Sequence, residues 1–226
     1  MNVDYKDTFK YFSSLHPNIV DGTVLDYGSN YGNFLASANG KFKQENYTGI
    51  DVDFSAIQLG KKQFPNAEFI HYNSFNYMYN PDGTDHLDLP IIKTYDTIIS
   101  YSVFTHTSEE DFLNRIEQLF TLLVPGGRIL FTFCDPADPV TVNFFTQKRI
   151  AMFGKCDNIS TSTKLYLVDA NIKAIPDVSK MLITFYNREY LKSILSKYEV
   201  SVHTAPVECL NCFQSCIMLQ KSHIII

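Results

Sequence analysis

Short apolar runs alternate with helix-like stretches from Thr23 to Cys134, and that alternation constrains the fold more than any other feature of the chain. Thr23–Tyr27, Tyr47–Asp51, Ala67–Asn73, Tyr95–Tyr101 and Arg128–Cys134 read as strands. NYGNFLASANG, FSAIQLGKKQF and the stretch Ser108 to Leu123 read as the helices between them. In the second of these, Ala56, Ile57 and Leu59 suit one helical face. The third starts well, with Ser108 as N-cap, Asp111 three positions on and acids in the first turn. Pro125–Gly127 then stops it. Strand and helix alternating this often implies a parallel, doubly wound α/β sheet with right-handed crossovers and helices on both faces.

After Asp135 the alternation lapses. It resumes with a helix at Arg188–Tyr198, followed by YEVSVHTAPV and QSCIMLQK, two strands close enough for a hairpin. The stretch between, about 136–186, is long for a connection, and inserted segments of that size are often lids or substrate walls. With 226 residues, 45% of them hydrophobic, the chain suits one domain, 1–226, carrying that insertion. Net charge is −5 and Lys and Arg are scattered, which argues against a nucleic-acid partner. No apolar run is long enough to cross a bilayer, and MNVDYKDTFKYF does not read as a signal peptide. Five cysteines, an odd number, fit reduced thiols in a cytoplasmic protein. Cys209, Cys212 and Cys216, with Cys156, could in principle hold zinc. However, Cys216 falls in an expected strand and paired knuckles are missing, so buried thiols are the better reading and no metal is expected.

An open parallel sheet binds ligands beyond the carboxyl ends of its strands. Strand 1 ends in VLDYGSNYG, where Gly28 bares the backbone and the following helix would offer N–H groups. A dinucleotide fingerprint would need glycines where Asn30 and Asn33 stand. The spacing is instead Asp26-x-Gly28-x-Asn30-x-Gly32. An acid before the first glycine sits poorly beside a pyrophosphate and well beside a cation. Asp51, closing strand 2, is placed to accept both hydroxyls of a ribose. A ribose, a positive group and no phosphate describe S-adenosylmethionine.

VLDYGSNYG, YTGIDVD, YDTIISYSVFTH and LLVPGGRILFTF stand in the order and at the spacing found in class I S-adenosylmethionine-dependent methyltransferases, and over nearly its whole length the chain resembles that family. The resemblance implies a Rossmann-like seven-stranded sheet, mostly parallel, with an antiparallel last strand that QSCIMLQK fits. It implies S-adenosyl-L-methionine as cofactor and S-adenosyl-L-homocysteine as product. Asp26, directly or through water, would hold the methionine amino group, with Gly28 and neighbouring backbone completing the contact. Asp51 would take the ribose hydroxyls, Val52 would pack on adenine, and Tyr101 would line the methionine side. The family often has an acid after strand 3 for the adenine amino group. This chain has Asn73 there, followed by Ser74, and the Asn73 amide oxygen can still accept a hydrogen bond. Asn30 replaces a glycine, and asparagine tolerates the left-handed backbone.

Methyl transfer needs an aligned nucleophile, excluded water and, for an alcohol, a base. His106 in YSVFTHT follows strand 4 and is the best general-base candidate, since an imidazole's ordinary pKa is about 6.5, although a histidine there can equally cap or pack. Tyr5, Tyr11, Tyr166, Tyr186 and His203 are candidate walls. Cys134 is not the nucleophile of a cytosine-C5 methyltransferase, because Tyr101-Ser102 stands where a Pro-Cys would be. The Asn-Pro-Pro-aromatic motif of adenine-N6 enzymes is missing there too. A compact acidic domain suits a small-molecule substrate, and SVFTH resembles bacterial small-molecule members of the family. The expected reaction is therefore O-methylation of a hydroxyl on a small, sugar-containing metabolite. The alternatives are N-methylation and a non-catalytic partner subunit.

Overall fold

The computed structural model describes residues 7–76, 79–84, 87–144, 165–170, 181–204 and 213–222. Strands β1 (Val24–Tyr27), β2 (Tyr47–Asp51), β3 (Glu68–His71), β4 (Tyr95–Ser100), β5 (Leu123–Phe133), β8 (Glu199–His203) and β9 (Ser215–Gln220) form one seven-stranded sheet. Its order is β3-β2-β1-β4-β5-β9-β8. The first five strands pair in parallel, and β9 runs antiparallel between β5 and β8. This is the expected Rossmann-like architecture, closing hairpin included.

Neighbouring residues of each central strand feed opposite faces, as the pleat requires. Val24, Ile99 and Leu130 pack under α1 (Thr8–Leu15), α2 (Asn33–Ala38) and α3 (Phe54–Gln63), through Phe12, Phe34 and Ile57. Leu25, Ile98 and Ile129 pack under α4 (Glu109–Thr121) and α5 (Arg188–Ile194), through Phe112, Ile116 and Leu191. Ser108 caps α4 as its sequence suggests, its Oγ accepting the Asp111 N–H at 3.1 Å. Among the described residues no helix is long and apolar enough to cross a membrane.

Three local readings change. Strand β5 begins at Leu123 rather than Arg128, and its register against β4 jumps between Leu123 and Arg128. Pro125–Gly127 is therefore an irregularity inside the strand, held by the Gly126 N–H on the Lys221 carbonyl at 3.0 Å. The helix has already ended at Thr121. Leu59 is 48% exposed, and the buried position on that face of α3 is Gly60, over which the Phe69 ring lies. Between β5 and α5, strands β6 (Leu165–Ala170) and β7 (Met181–Tyr186) make a separate antiparallel pair that the alternation did not announce. The end of β7 belongs to the core. Phe185 and Tyr186 are buried, and the Tyr186 N–H donates to the Cys134 carbonyl at 3.0 Å.

Gly60→Ala should destabilise the protein despite alanine's helix propensity. The propensity gain is about 1 kcal/mol. A Cβ at position 60 would sit 2.5–2.8 Å from three atoms of the buried Phe69 ring, and overpacking of that kind costs about 1–3 kcal/mol. Thermal unfolding should shift down by several degrees; an upward shift would contradict the packing described.

Candidate functional site

Strands β2 and β4 lie on opposite sides of β1, so the connections leaving β1 and β4 diverge at their carboxyl ends. A cavity of about 400 Å³ opens there, within the range of small-molecule sites. Asp26, Gly28, Asn30 and Asp51 line it, joined by Val52, Ser74, Tyr101 and His106. Eight of the ten residues singled out from sequence are thus brought together. The other two are Gly32 and Asn73. Gly32 closes the turn against the Phe64 and Phe69 rings, where a Cβ would come within 2.9 Å of Phe69. Asn73 is exposed because the following loop folds back on itself: the Thr84 N–H donates to its carbonyl at 2.9 Å, and Asn80 Nδ2 donates to its Oδ1 at 3.1 Å. Its amide oxygen is committed outside the cleft.

The loop after β1 is folded by strand 2 rather than by the helix that follows. Gly28 and Ser29 both donate their N–H to the Ile50 carbonyl, at 2.8 and 3.1 Å. The Asn30 N–H donates to Asp51 Oδ2 at 2.7 Å, and the Asp53 N–H donates to Asp51 Oδ1 at 2.9 Å. Gly28 sits at φ +83°, and a Cβ there would lie 2.1 Å from Val103 Cγ2, so only glycine fits between the two loops. Asn30 takes φ +52°, and its side-chain oxygen accepts the Tyr31 N–H at 2.8 Å. A turn intervenes before α2 starts at Asn33, and that helix is only six residues long. The expected free N–H groups of a helix start are therefore not what this loop offers.

What the cleft offers is negative charge. Asp26, Asp51, Asp53 and Asp111 line it against a single guanidinium, Arg115, among the described residues. Asp26 is 3% exposed, and Tyr47 Oη donates to its Oδ2 at 2.7 Å. Burial raises its pKa to about 7; the Tyr47 hydrogen bond holds it down and the Asp51 charge pushes it up. Asp51 is raised too, chiefly by burial, with the backbone donors from Asp53 and Asn30 acting against the rise. Asn33, also in the lining, has a buried side-chain oxygen without a hydrogen-bond partner. The Asn33 oxygen therefore awaits a donor, and the Asp26 carboxylate, held by Tyr47 alone among the hydrogen bonds described, has lone pairs to spare for another. A cationic ligand supplies one.

Sequence reasoning missed one wall. Asp111, Asn114, Arg115 and Gln118 line the cleft from α4, at the i, i+3, i+4, i+7 spacing of one helical face. That stripe is visible in the sequence, but a polar stripe opposite Phe112, Ile116 and Leu119 ordinarily faces water. Arg115 lies over the Tyr72 ring at 5.0 Å and the Tyr27 ring at 5.8 Å, and donates to Gln118 Oε1 at 2.8 Å. His106 ends a short 3₁₀ turn, Phe104–His106, beside which β7 packs; Thr184 Oγ1 donates to the Thr107 carbonyl at 2.6 Å.

The remaining wall candidates scatter. Tyr11 is buried, its Oη donating to the Gln214 carbonyl at 2.8 Å, and Tyr186 packs on Phe112. His203 bonds Ser201 on the edge strand. Tyr5, Cys156, Cys209, Cys212 and the Tyr166 side chain lie outside the described residues. Cys134 and Cys216 are buried free thiols, and burial pushes the Cys216 thiol well up.

A family profile described as a methyltransferase domain matches residues 2–205. Among solved structures, an S-adenosylmethionine-dependent methyltransferase from Clostridium acetobutylicum superposes with a TM-score of 0.60 at 12% identity, covering 98% of this chain and 93% of that one. A glycopeptide N-methyltransferase complexed with S-adenosylmethionine gives 0.62 at 9% identity, covering 97% and 94%. A Nostoc punctiforme protein assigned as an O-methyltransferase gives 0.60 at 13% identity; the match covers 96% of this chain but only 57% of that one. At these identities the structural likeness speaks to the fold.

Tyr47→Phe removes the hydrogen bond that stabilises ionised Asp26. The Asp26 pKa should then rise above its value of about 7. Carboxyl-carbon NMR titration reads this directly, and an unmoved or lowered pKa would contradict the bond's role.

Proposed function

The chain belongs to the methyltransferase-domain family, and on that premise we propose that it is an S-adenosylmethionine-dependent enzyme that methylates a hydroxyl of a small metabolite, with sugar-containing acceptors the first to test. The carrying observation is the buried Asp26 carboxylate beside Asp51 in an acid-lined cleft at the switch point of the sheet. The residues present fit this cofactor. Asp26 and the unpartnered Asn33 oxygen suit its ammonium. Asp51 has one N–H on each oxygen, and a carboxylate has lone pairs left for two ribose hydroxyls. Gly28 leaves room for the bound molecule to approach the backbone.

When bound, S-adenosylmethionine supplies a methyl group on a sulfonium that is already activated. The chain's own residues do the rest. Asp26 holds the amino group and Asp51 orients the ribose, while Val52 packs on the adenine and Tyr101 walls the methionine end. With Asn73 turned outward, Ser74 is the nearest polar residue after it in the lining to face the adenine edge, with Asn76 beyond. His106 lies on the open side and takes the proton from the acceptor hydroxyl at a ring nitrogen. Of the inserted segment, we assign to the substrate wall the described strand β7, which packs beside the turn that carries His106. The runner-up, transfer to a neutral amine, needs no such base.

Asp51→Ala should weaken S-adenosylhomocysteine binding at least about tenfold, since each hydrogen bond to a charged acceptor is worth about 1.5–3 kcal/mol. An unchanged dissociation constant, measured by calorimetry, would refute the ribose assignment. Methyl-labelled S-adenosylmethionine offered with a panel of hydroxylated small molecules, nucleotide sugars included, finds the acceptor. On that acceptor His106→Gln should lower kcat about a hundredfold or more while sparing cofactor affinity. An unchanged kcat would favour the amine reading.

A further inference from the structure

Ser102, the second residue after β4, lines the cleft at φ +60°, a backbone state that costs a non-glycine residue about 1–2 kcal/mol. A closed ring of hydrogen bonds holds it there. The Ser102 N–H donates to Thr132 Oγ1 of β5 at 2.7 Å, Thr132 Oγ1 donates to Gln214 Oε1, and Gln214 Nε2 donates to Ser102 Oγ at 2.9 Å. Thr132 and Gln214 are buried, and Gln214 precedes β9, far away in sequence. The ring runs in one sense only. Thr132 Oγ1 accepts the backbone N–H and gives its own hydrogen to the Gln214 oxygen, which leaves the amide NH₂ facing Ser102. Ser102 Oγ is thereby made an acceptor within the protein, and its own hydrogen remains to be given. Thr105 Oγ1, which gives its own hydrogen to the Ser102 carbonyl at 3.0 Å, is 3.3 Å from Ser102 Oγ, long for a hydroxyl bond and readily exchanged for a ligand oxygen.

The backbone of the glycine loop has no such donor left. Along the loop after β1, the N–H groups of Gly28, Ser29, Asn30, Tyr31, Gly32 and Asn33 are all taken by protein acceptors. Arg115 is turned to Gln118 Oε1 at 2.8 Å and to the Leu87 carbonyl at 3.4 Å while lying over two tyrosine rings. Ser102 adjoins the glycine loop, since Val103 fills the space beside Gly28. It lies on the β4 side of Asp26, away from Asp51 on β2. A ligand whose ammonium sits on Asp26 and whose ribose sits on Asp51 carries its carboxylate toward Ser102.

We propose, building on the cofactor reading above, that Ser102 Oγ–H binds the carboxylate of the cofactor's amino-acid end and that Gln214 is the positioning residue that fixes it as a donor. The test compares S-adenosylhomocysteine with methylthioadenosine, which lacks the amino-acid end, by calorimetric titration of the full chain. Glycine suits φ +60°, so Ser102→Gly keeps the fold: the relieved backbone strain offsets the Gln214 amide left without its acceptor, and a cooperative thermal transition checks that it does. It should lose about tenfold or more in affinity for S-adenosylhomocysteine and none for methylthioadenosine. Gln214→Glu keeps the shape but presents two acceptors, drawing the Ser102 hydrogen away from the cleft; the same selective loss is expected. Should that variant fail to fold, Ser102→Gly decides alone. Wild-type affinity for S-adenosylhomocysteine in Ser102→Gly, or equal losses for both ligands, would overturn the proposal. Wild-type protein that binds neither ligand would overturn the cofactor reading itself, a separate and recognisable failure.

Discussion

Strand β2 holds the glycine loop that strand β1 ends in, and the cleft depends on that grip. The Ile50 carbonyl takes two successive N–H groups and the Asp51 carboxylate takes a third, so three residues after β1 are pinned to the neighbouring strand. Asp51 is thus both a candidate ligand group and the anchor of the loop opposite it. Buried hydrogen bonds to a charged acceptor are worth more than neutral ones, and their loss leaves unsatisfied partners. Replacing Asp51 therefore loosens the loop as well as the proposed ribose contact. The parallel register Asp26↔Gly49 and Tyr27↔Ile50 brings the two strand ends level and makes the grip possible.

The second constraint is electrostatic. Asp26 is buried, with Asp51 nearby pushing its pKa further up, so its ionised form is disfavoured without a cation. Because its pKa in the fold is raised, the stability it contributes is present below the ordinary carboxylate range and is lost as pH rises through about 7. An ammonium bound there reverses the balance: it stabilises the carboxylate and expels the proton. A site already strained toward a positive partner is preorganised for it. The Ser102–Thr132–Gln214 ring is the complementary device on the β4 side, a hydroxyl donor fixed across the cleft from the acids.

Much of this was legible in the chain, for physical reasons. The alternation of apolar strands with helices dictates a parallel sheet, and Asp26, Gly28 and Asp51 stand at strand ends, where that sheet must bind. What escaped depends on tertiary context. Asn73 has the right chemistry at the right place in the sequence, but Asn80 and Thr84 turn it outward, and no local pattern announces that fold-back. Gly32 looks like a ligand glycine, but it stands outside the cleft lining and the Phe64 and Phe69 rings lie where its Cβ would be. The polar stripe of α4 was readable as a stripe but not as a wall. Ser102 and Gln214 meet across 112 positions of sequence, beyond the reach of any motif.

The most direct test of the central claim is proton-linked calorimetry of S-adenosylhomocysteine binding, run below and above neutrality in buffers of different ionisation heat. The account predicts binding that tightens as pH rises through about 7, with a proton released on the acid side, and loss of that linkage in Asp26→Asn. Binding with no proton release on either side, or linkage that survives the substitution, would contradict the assignment of Asp26 as the ammonium receptor.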